Sequence, residues 1–173
     1  METTKWNIDK AHTNLTFTIA HFVIAKVKGT FKEFEGSVSA SNNDFEDAKL
    51  DFSIVSNSID TNDIARDNHL KTPDFFDIQA FPLITFKSKS FKKDVGKTFL
   101  VVGILTVNGV ENEIRLNAEY NGTFEHPQYK KTIASFDIVA DIIRKDFNIG
   151  LNYPAAALGD KVILNGTIEL IKQ

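Results

Sequence analysis

The segment TFLVVGILTVNGVENEIRLNAEY, residues 98–120, contains the clearest folding signal in this chain. Two candidate strands flank the pair Asn108-Gly109, and the second of them alternates apolar and polar residues as far as Tyr120. A type I′ turn requires positive φ at both central residues, which Asn-Gly adopts readily, so this pattern predicts a β-hairpin. The first run is apolar on both faces, which predicts a strand covered on both sides.

The same period-two alternation recurs on both sides of this hairpin. It is found in NLTFTIA (14–20), FEGSVSA (34–40), AKLDFSIVS (48–56), LITFKSKSF (83–91), SFDIVADI (135–142) and KVILNGTIELI (161–171). About eight or nine such strands with hairpin-like spacing indicate an antiparallel all-β fold. Closure into a barrel would remove the exposed edges of the sheet. The length of 173 residues suits one domain, residues 1–173.

One segment breaks the alternation and favours a helix. Residues 61–71 have this character, within a helical insertion of about 61–78. Thr61 or Asn62 is suited to cap the helix N-terminus by accepting from free backbone N–H groups. Pro73 should end the helix, because the residue before a proline avoids the α region.

Charge and composition exclude several classes of function. The net charge of −3 argues against a nucleic-acid partner. The absence of cysteine removes disulfides, thiol nucleophiles and thiolate metal ligands. No apolar run approaches the roughly 20 residues of a transmembrane helix. The N-terminus has no apolar leader core, which predicts a cytoplasmic protein as the sequence stands, and a periplasmic one if a leader was removed.

The predicted helix contains a polar cluster of Arg66, Asp67 and His69. A histidine beside a carboxylate is the pattern of a general base. Residues two apart on a helix do not face each other, however, whereas Asp63 lies at ion-pair spacing from Arg66. Three interpretations therefore stay open for the cluster: local ion pairs, contacts with a ligand, and catalysis.

The histidines give no metal-binding pattern. His12, His21, His69 and His126 are scattered, without the spacing of a zinc site, so no metal site is predicted. His21 ends a predicted strand, where it is placed to point into the mouth of a barrel. The stretch RKDFNIG, residues 144–150, suits either a solvated loop or a loop that lines that mouth. No glycine-rich phosphate loop joins a strand to a helix, so no nucleotide cofactor is predicted.

The chain has 15 phenylalanines, which suit either a packed core or an apolar ligand site. A barrel of about eight strands is filled by side chains or holds a small ligand, and periodicity does not separate the two cases. If the barrel is hollow, the expected tunnel residues are Phe17, Ile19, Phe31, Phe34, Phe52, Phe75, Phe76, Phe86, Phe136 and Phe147.

Several longer segments together resemble the YceI-like family of polyisoprenoid-binding proteins. They are WNIDKAHTNLTFTIAHF, GTFKEFEGSV, SIDTNDIARDNHLKTPDFFDIQAFPLITFKS, GILTVNGVENEIRL, RKDFNIG and VILNGTIELI. The resemblance implies an eight-stranded antiparallel, lipocalin-like β-barrel with one inserted helical segment. It also implies an apolar tunnel for a long isoprenoid, such as a polyprenyl phosphate or a polyprenyl quinone. Some members are similar to binders of fatty-acid-like amides, many are exported to the periplasm, and dimers occur.

The function predicted on this basis is non-catalytic binding, with transport or storage, of a long-chain isoprenoid lipid. No cofactor is expected besides the bound lipid or quinone. His21, Arg66, Asp67 and His69 are the predicted contacts at the rim to the lipid head group. A fatty-acid-like amide in the same tunnel is one alternative. A lipid-modifying enzyme that uses His21, Asp67 or His69 as acid or base is another, and an interaction protein with a solid barrel is a third. Transient membrane contact and a homodimer are compatible with each of these.

Overall fold

The structure is a computed structural model that describes residues 3–42 and 44–173. Its strands are β1 (Thr4–Ile8), β2 (Asn14–His21), β3 (Ala25–Phe31), β4 (Phe34–Ala40), β5 (Lys49–Val55), β6 (Ile59–Asp60), β7 (Leu83–Lys93), β8 (Thr98–Val107), β9 (Val110–Glu125), β10 (Thr132–Ile143) and β11 (Leu158–Lys172). Its one α-helix in the described residues is α1 (Ile64–Leu70). Two 3₁₀ turns cover Ser56–Ser58 and Arg144–Phe147.

The strands close into an antiparallel barrel. From β7 to β11 each strand pairs with the next, and β11 pairs with both β1 and β2. β4 pairs with β1, and β5 pairs with β4. In the same way, β3 pairs with β2, and β6 pairs with β3. β1–β2, β3–β4 and β5–β6 are thus three interrupted strands, and counting each as one gives eight positions. The predicted eight-stranded, antiparallel all-β barrel with one inserted helix is confirmed.

The insertion that contains α1 lies where the strand ladder is interrupted. β5 pairs with β7 as far as Val55 and Leu83, whereas β6 pairs only with β3 among the described strands. The gap between β6 and β7 therefore lies at one end of the barrel. α1 and the turns that follow it occupy the chain between these two strands. At this end, side chains of the insertion replace part of the hydrogen-bonded wall.

The helix begins three residues later than predicted. It starts at Ile64, and its N-cap is Asp63, whose side chain accepts from the backbone N–H of Arg66 at 2.9 Å. The expected caps, Thr61 and Asn62, are wrong. Asn62 has left-handed backbone geometry, with φ of 61°, and Thr61 bonds to side chains of α1. The remainder of the predicted insertion, to residue 78, consists of turns.

The Asn108-Gly109 hairpin forms as predicted. The φ angles are 52° at Asn108 and 71° at Gly109, and both are positive, as a type I′ turn requires. The Asn108 side-chain amide also donates to the backbone oxygens of Phe75 and Phe147. The β8–β9 turn therefore ties the insertion to the 3₁₀ turn after β10.

A larger residue at position 109 is expected to destabilise the fold, because a Cβ there would lie 2.7 Å from the Phe81 ring. Gly96 is a matched control, since its φ of 61° is similar and no atom lies within 4 Å of the place that a Cβ would take. Both Gly→Ala changes should incur the left-handed strain of roughly 1–2 kcal/mol. Gly109→Ala should cost about 1 kcal/mol or more beyond Gly96→Ala, because of overpacking. Urea unfolding of the two variants measures this difference, and equal losses would contradict the clash.

An aromatic cluster fills the half of the barrel that lies away from α1. Its members are Trp6, Phe45, Phe91, Phe99, Tyr120 and Phe136. Phe136 lies at its centre, with ring centroids 5.1 Å from both Phe45 and Tyr120. Except for Tyr120, these residues are buried. One half of the barrel is therefore a packed core, which restricts any internal site to the other half.

Candidate ligand-binding site

A cavity of about 440 Å³ occupies the half of the barrel next to α1. Its wall comes from β2, β3, β5, β6, β7, β8, β10 and β11, together with α1, the turns that follow it and the loop 148–157. The side chains that line it are mainly aliphatic and aromatic. This volume falls within the roughly 300–1,000 Å³ that is typical of small-molecule sites. The barrel is therefore hollow at one end and solid at the other.

Five of the predicted tunnel residues line this cavity. They are Phe17, Ile19, Phe31, Phe75 and Phe76. The Phe31 ring packs between Phe17 and Phe76, with centroid distances of 5.7 and 5.8 Å. These side chains make a continuous aromatic wall from β2 to the insertion, and their contact with a ligand stays a prediction.

The other five predicted tunnel residues lie outside the lining. They are Phe34, Phe52, Phe86, Phe136 and Phe147. Phe34 and Phe52 stack on each other at 5.8 Å, and Phe136 belongs to the aromatic cluster. Phe147 is 1% exposed, and its backbone oxygen accepts from Asn108. Alternation predicts which face of a strand a side chain occupies, but not how far along the barrel axis that side chain lies. It therefore did not distinguish residues of the packed core from residues of the cavity.

Arg66 and Asp67 share Thr61 as a partner, but only Arg66 reaches the cavity. Arg66 Nε donates to Thr61 Oγ1 and Arg66 Nη2 to the Thr61 backbone oxygen, both at 2.7 Å. Asp67 accepts from the Thr61 N–H at 2.9 Å and from its hydroxyl. Arg66 lines the cavity, whereas Asp67 does not. Asp67 therefore fixes the start of α1 and lies outside the lining, and its contact with a head group stays a prediction. The Asp63–Arg66 ion pair, which was one of the interpretations from sequence, is absent from the described contacts.

His69 lies at the cavity mouth between two polar groups from other segments. Its Nε2 is 3.3 Å from the Tyr153 hydroxyl and 3.5 Å from Asp74 Oδ2. The Asp67–His69 pair considered from sequence does not form among the described contacts, in line with their spacing on the helix. Sequence reasoning missed Asp74 and Tyr153, because only the fold brings the loop after β10 against α1. His21 also lines the mouth, and its ring lies 4.1 Å from that of Phe22.

Arg144 is the main polar residue that sequence reasoning missed. It is 0% exposed, and its guanidinium donates to the backbone oxygens of Ile149, Gly150, Tyr153, Leu158 and Gly159 and to Asp160 Oδ1. Burial lowers the pKa of Arg144, and the Asp160 carboxylate opposes this shift. The group stays charged, because an arginine guanidinium is not deprotonated in proteins. Arg144 and Phe147 thus form a buried anchor for the mouth loop, and Arg144 and Ile149 line the cavity, whereas Asp146 and Asn148 of the same stretch are exposed to solvent.

The two arginines of the lining differ in what they can offer a ligand. A guanidinium has five N–H donors, and those of Arg144 already meet six acceptors of the chain. Arg66 uses only Nε and Nη2, and its Nη1 has no acceptor among the described residues. No aspartate or glutamate belongs to the lining that the described residues form. The mouth therefore has one cation with free donors and no carboxylate in the lining itself.

A second polar cluster lies outside this cavity. His12 Nδ1 is 2.8 Å from Asp9 Oδ2 and 3.7 Å from Glu169 Oε1. The hydrogen bond to Asp9 raises the pKa of His12, and the same bond lowers the pKa of Asp9. The three groups could each offer one metal ligand, yet Asp9 and Glu169 are half-buried and already pair with the exposed His12. They connect the β1–β2 turn to β11.

The barrel and the sequence that forms it are shared with known proteins. The sequence model of the YceI-like domain family matches residues 6–170 of this chain. The chain belongs to the YceI-like family. The UPF0312 protein SA2479 of Staphylococcus aureus (strain N315) is 37% identical to this YceI-like protein over 149 residues, covering 86% of this chain and 84% of the relative.

Two solved structures extend the comparison. The Campylobacter jejuni YCEI protein superimposes on this YceI-like chain with a TM-score of 0.80 and 32% identity, covering 95% of this chain and 96% of that one. A polyisoprenoid binding domain from Saccharophagus degradans, implicated in plant cell wall breakdown, gives a TM-score of 0.69 at 14% identity, covering 97% and 98%. The second likeness shows a shared fold. Within the described YceI-like chain, no helix combines the length and the apolarity needed to cross a membrane.

Proposed function

We propose that the protein binds a long-chain isoprenoid lipid in this cavity and carries or stores it without changing it chemically. The observation that carries the proposal is an apolar cavity of about 440 Å³ with its polar side chains gathered near the mouth. Membership of the YceI-like family supports the ligand class. The polyisoprenoid binding domain that shares the fold supports it as well.

The apolar tail is expected to supply most of the affinity. Each buried CH₂ contributes about 0.8 kcal/mol, whereas one hydrogen bond to a charged group contributes about 1.5–3 kcal/mol. The rings of Phe17, Phe31 and Phe76 suit an isoprenoid because they are apolar and need no hydrogen-bond partner. The tail therefore sets how tightly the ligand binds, and the mouth sets which head group is accepted.

The depth of the cavity limits how much tail it encloses. Along β2 the lining runs from Phe17 to His21, a distance of about 13 Å at the strand rise of roughly 3.3 Å per residue. The aromatic cluster fills the barrel beyond this point. Affinity is thus expected to rise with the length of the prenyl chain and to level off once the chain exceeds the cavity.

The polar groups at the mouth favour binding over catalysis. His69 and Asp74 are 3.5 Å apart and each is about half exposed, with side-chain exposures of 48% and 52%. Arg144 is saturated by backbone oxygens, so it holds the loop and has no donor left for a reacting group.

Lipid extraction and binding measurements test the proposal. Mass spectrometry of an organic extract of the purified protein should find a prenyl lipid. The delipidated protein should bind prenyl phosphates and prenyl quinones, with the length dependence given above. Recovery of a fatty-acid amide, with no binding of any prenyl compound, would assign the cavity to the alternative ligand. Turnover of a bound prenyl phosphate would instead make the protein an enzyme.

Arg66→Ala is expected to change the choice of head group more than the binding of the tail. Loss of the free Nη1 donors should weaken the binding of a prenyl phosphate by about 1.5–3 kcal/mol, which is roughly a 10- to 150-fold loss of affinity. A prenol of the same chain length should bind almost as before. The ratio of the two dissociation constants is the readout, because any effect on the fold cancels in it. Arg115→Ala, on the exposed side of β9, is the control. An unchanged ratio would remove Arg66 from the head-group site.

A further inference from the structure

The turn between β2 and β3 exposes three large apolar side chains in a row. Phe22, Val23 and Ile24 are 59%, 75% and 92% exposed. The φ angles of Phe22 and Val23 are 49° and 65°, which is an uncommon conformation for a bulky residue and a genuine outlier for a β-branched one. The chain thus presents apolar groups at a position where a glycine or an asparagine would be the usual choice.

This turn is part of the cavity mouth. Phe22 lines the cavity, and its backbone N–H donates to the Ala157 oxygen at 3.0 Å. The loop that ends at Ala157 exposes further apolar residues beside it, namely Leu151, Pro154, Ala155 and Ala156. We call these four residues together with Phe22, Val23 and Ile24 the apolar rim. It lies on two sides of the opening through which a lipid would enter.

The two segments that form the apolar rim contain positive but no negative side chains. Residues 147–159 contain no charged side chain, and residues 14–31 contain no aspartate or glutamate. Lys26 and Lys28, which follow the turn on β3, are exposed and form no ion pair within the described part of the chain. The whole chain has a net charge of −3, so these two segments depart from the average in the positive direction.

Arg66 and the exposed Asp146 form no ion pair among the described residues, whereas several other charged groups near the mouth are paired. Lys145 contacts Asp160, and Lys161 contacts Asp141. On the α1 side, Asp74 lies against His69. The unpaired charges on β3, next to the apolar rim, are therefore those of the two lysines. Unpaired lysines beside apolar residues are attracted to a negatively charged lipid surface.

We propose that the apolar rim docks onto an anionic lipid bilayer, with the β2–β3 turn inserted at the boundary between head groups and acyl chains. Exposed apolar residues with adjacent lysines match such a surface in both polarity and charge. A projecting turn with small flanking residues suits a deformable bilayer better than the flat patch of roughly 800 Å² per partner that a stable protein interface needs. In this orientation the mouth faces the membrane, so a tail passes from bilayer to cavity without crossing water.

Flotation of the delipidated protein with vesicles tests the inference. Binding is expected to vesicles of phosphatidylglycerol mixed with phosphatidylcholine, and to be at least tenfold weaker to pure phosphatidylcholine. Val23→Asp/Ile24→Asp should reduce binding to the anionic vesicles at least tenfold. Val95→Asp/Phe124→Asp is the matched control, because it changes two similarly exposed residues (76% and 62%) outside the mouth. Lys26→Gln/Lys28→Gln provides a second variant that leaves the turn intact.

The outcomes separate this inference from the proposed function. No flotation of the wild type, or equal flotation of Val23→Asp/Ile24→Asp and wild type, overturns the docking. Equal binding to neutral and anionic vesicles overturns the role of the lysines. Self-association that Val23→Asp/Ile24→Asp abolishes, without vesicle binding, would assign the apolar rim to a second copy of the chain. Because neither changed residue of that variant lines the cavity, it should still bind a short prenyl phosphate in solution.

Discussion

Arg144→Lys is expected to lower the free energy of unfolding by about 3 kcal/mol or more, and to lower Tm by roughly 6–12 °C. The guanidinium meets six acceptors, whereas an ammonium group has only three donors. At least two buried carbonyl oxygens would lose their partner, at about 1–3 kcal/mol each. Thermal and urea unfolding followed by circular dichroism measure the loss.

The control for this prediction is the neighbouring residue. Lys145 contacts the same Asp160 at 3.0 Å, but its side chain is 38% exposed. Lys145→Met should therefore change the stability by less than about 1 kcal/mol. If Arg144→Lys were as mild as Lys145→Met, the mouth loop would not depend on the guanidinium. Hydrogen exchange of residues 149–159 would report the loosened loop directly.

Val27→Trp is expected to weaken the binding of a prenyl ligand by roughly 100-fold, while the barrel stays folded. Val27 lies on β3 and lines the cavity. The indole would occupy the space that the tail needs, and excluding about four CH₂ groups costs about 3 kcal/mol, which is roughly 100-fold in affinity. Isothermal titration with a prenyl phosphate measures the change.

A tryptophan outside the barrel is the control for the cavity. Val139, on β10, is 43% exposed and does not line the cavity. Val139→Trp adds the same volume and should leave the affinity unchanged. Retained binding in Val27→Trp would contradict the placement of the tail. Loss of binding in both variants would show that the assay responds to something other than the space in the cavity.

The barrel was predictable because its signals are local. Asn108-Gly109 sets the hairpin, and the alternation around it sets which side chains point inward. The height of each inward residue along the barrel depends on register across the whole sheet. Phe17 and Phe136 therefore looked equivalent in sequence, although one lines the cavity and the other belongs to the aromatic cluster.

The site was less predictable, because its polar contacts join distant segments. His69 lies 84 residues from Tyr153. Arg144 directly follows a strand and looked like a surface residue. One signal was present: residues 148–157 contain no strand or helix, so their backbone oxygens need donors from elsewhere. A basic side chain at the start of such a loop is a reasonable candidate for that donor.

For the proposed lipid ligand, the aromatic cluster has a consequence for exchange. A tail that enters the cavity meets a closed floor, so a ligand that enters tail first leaves head first by the same route. A second lipid cannot push the first one through. Exchange must therefore proceed by departure followed by arrival, and its rate is set by how fast the bound lipid leaves rather than by how much new lipid is waiting.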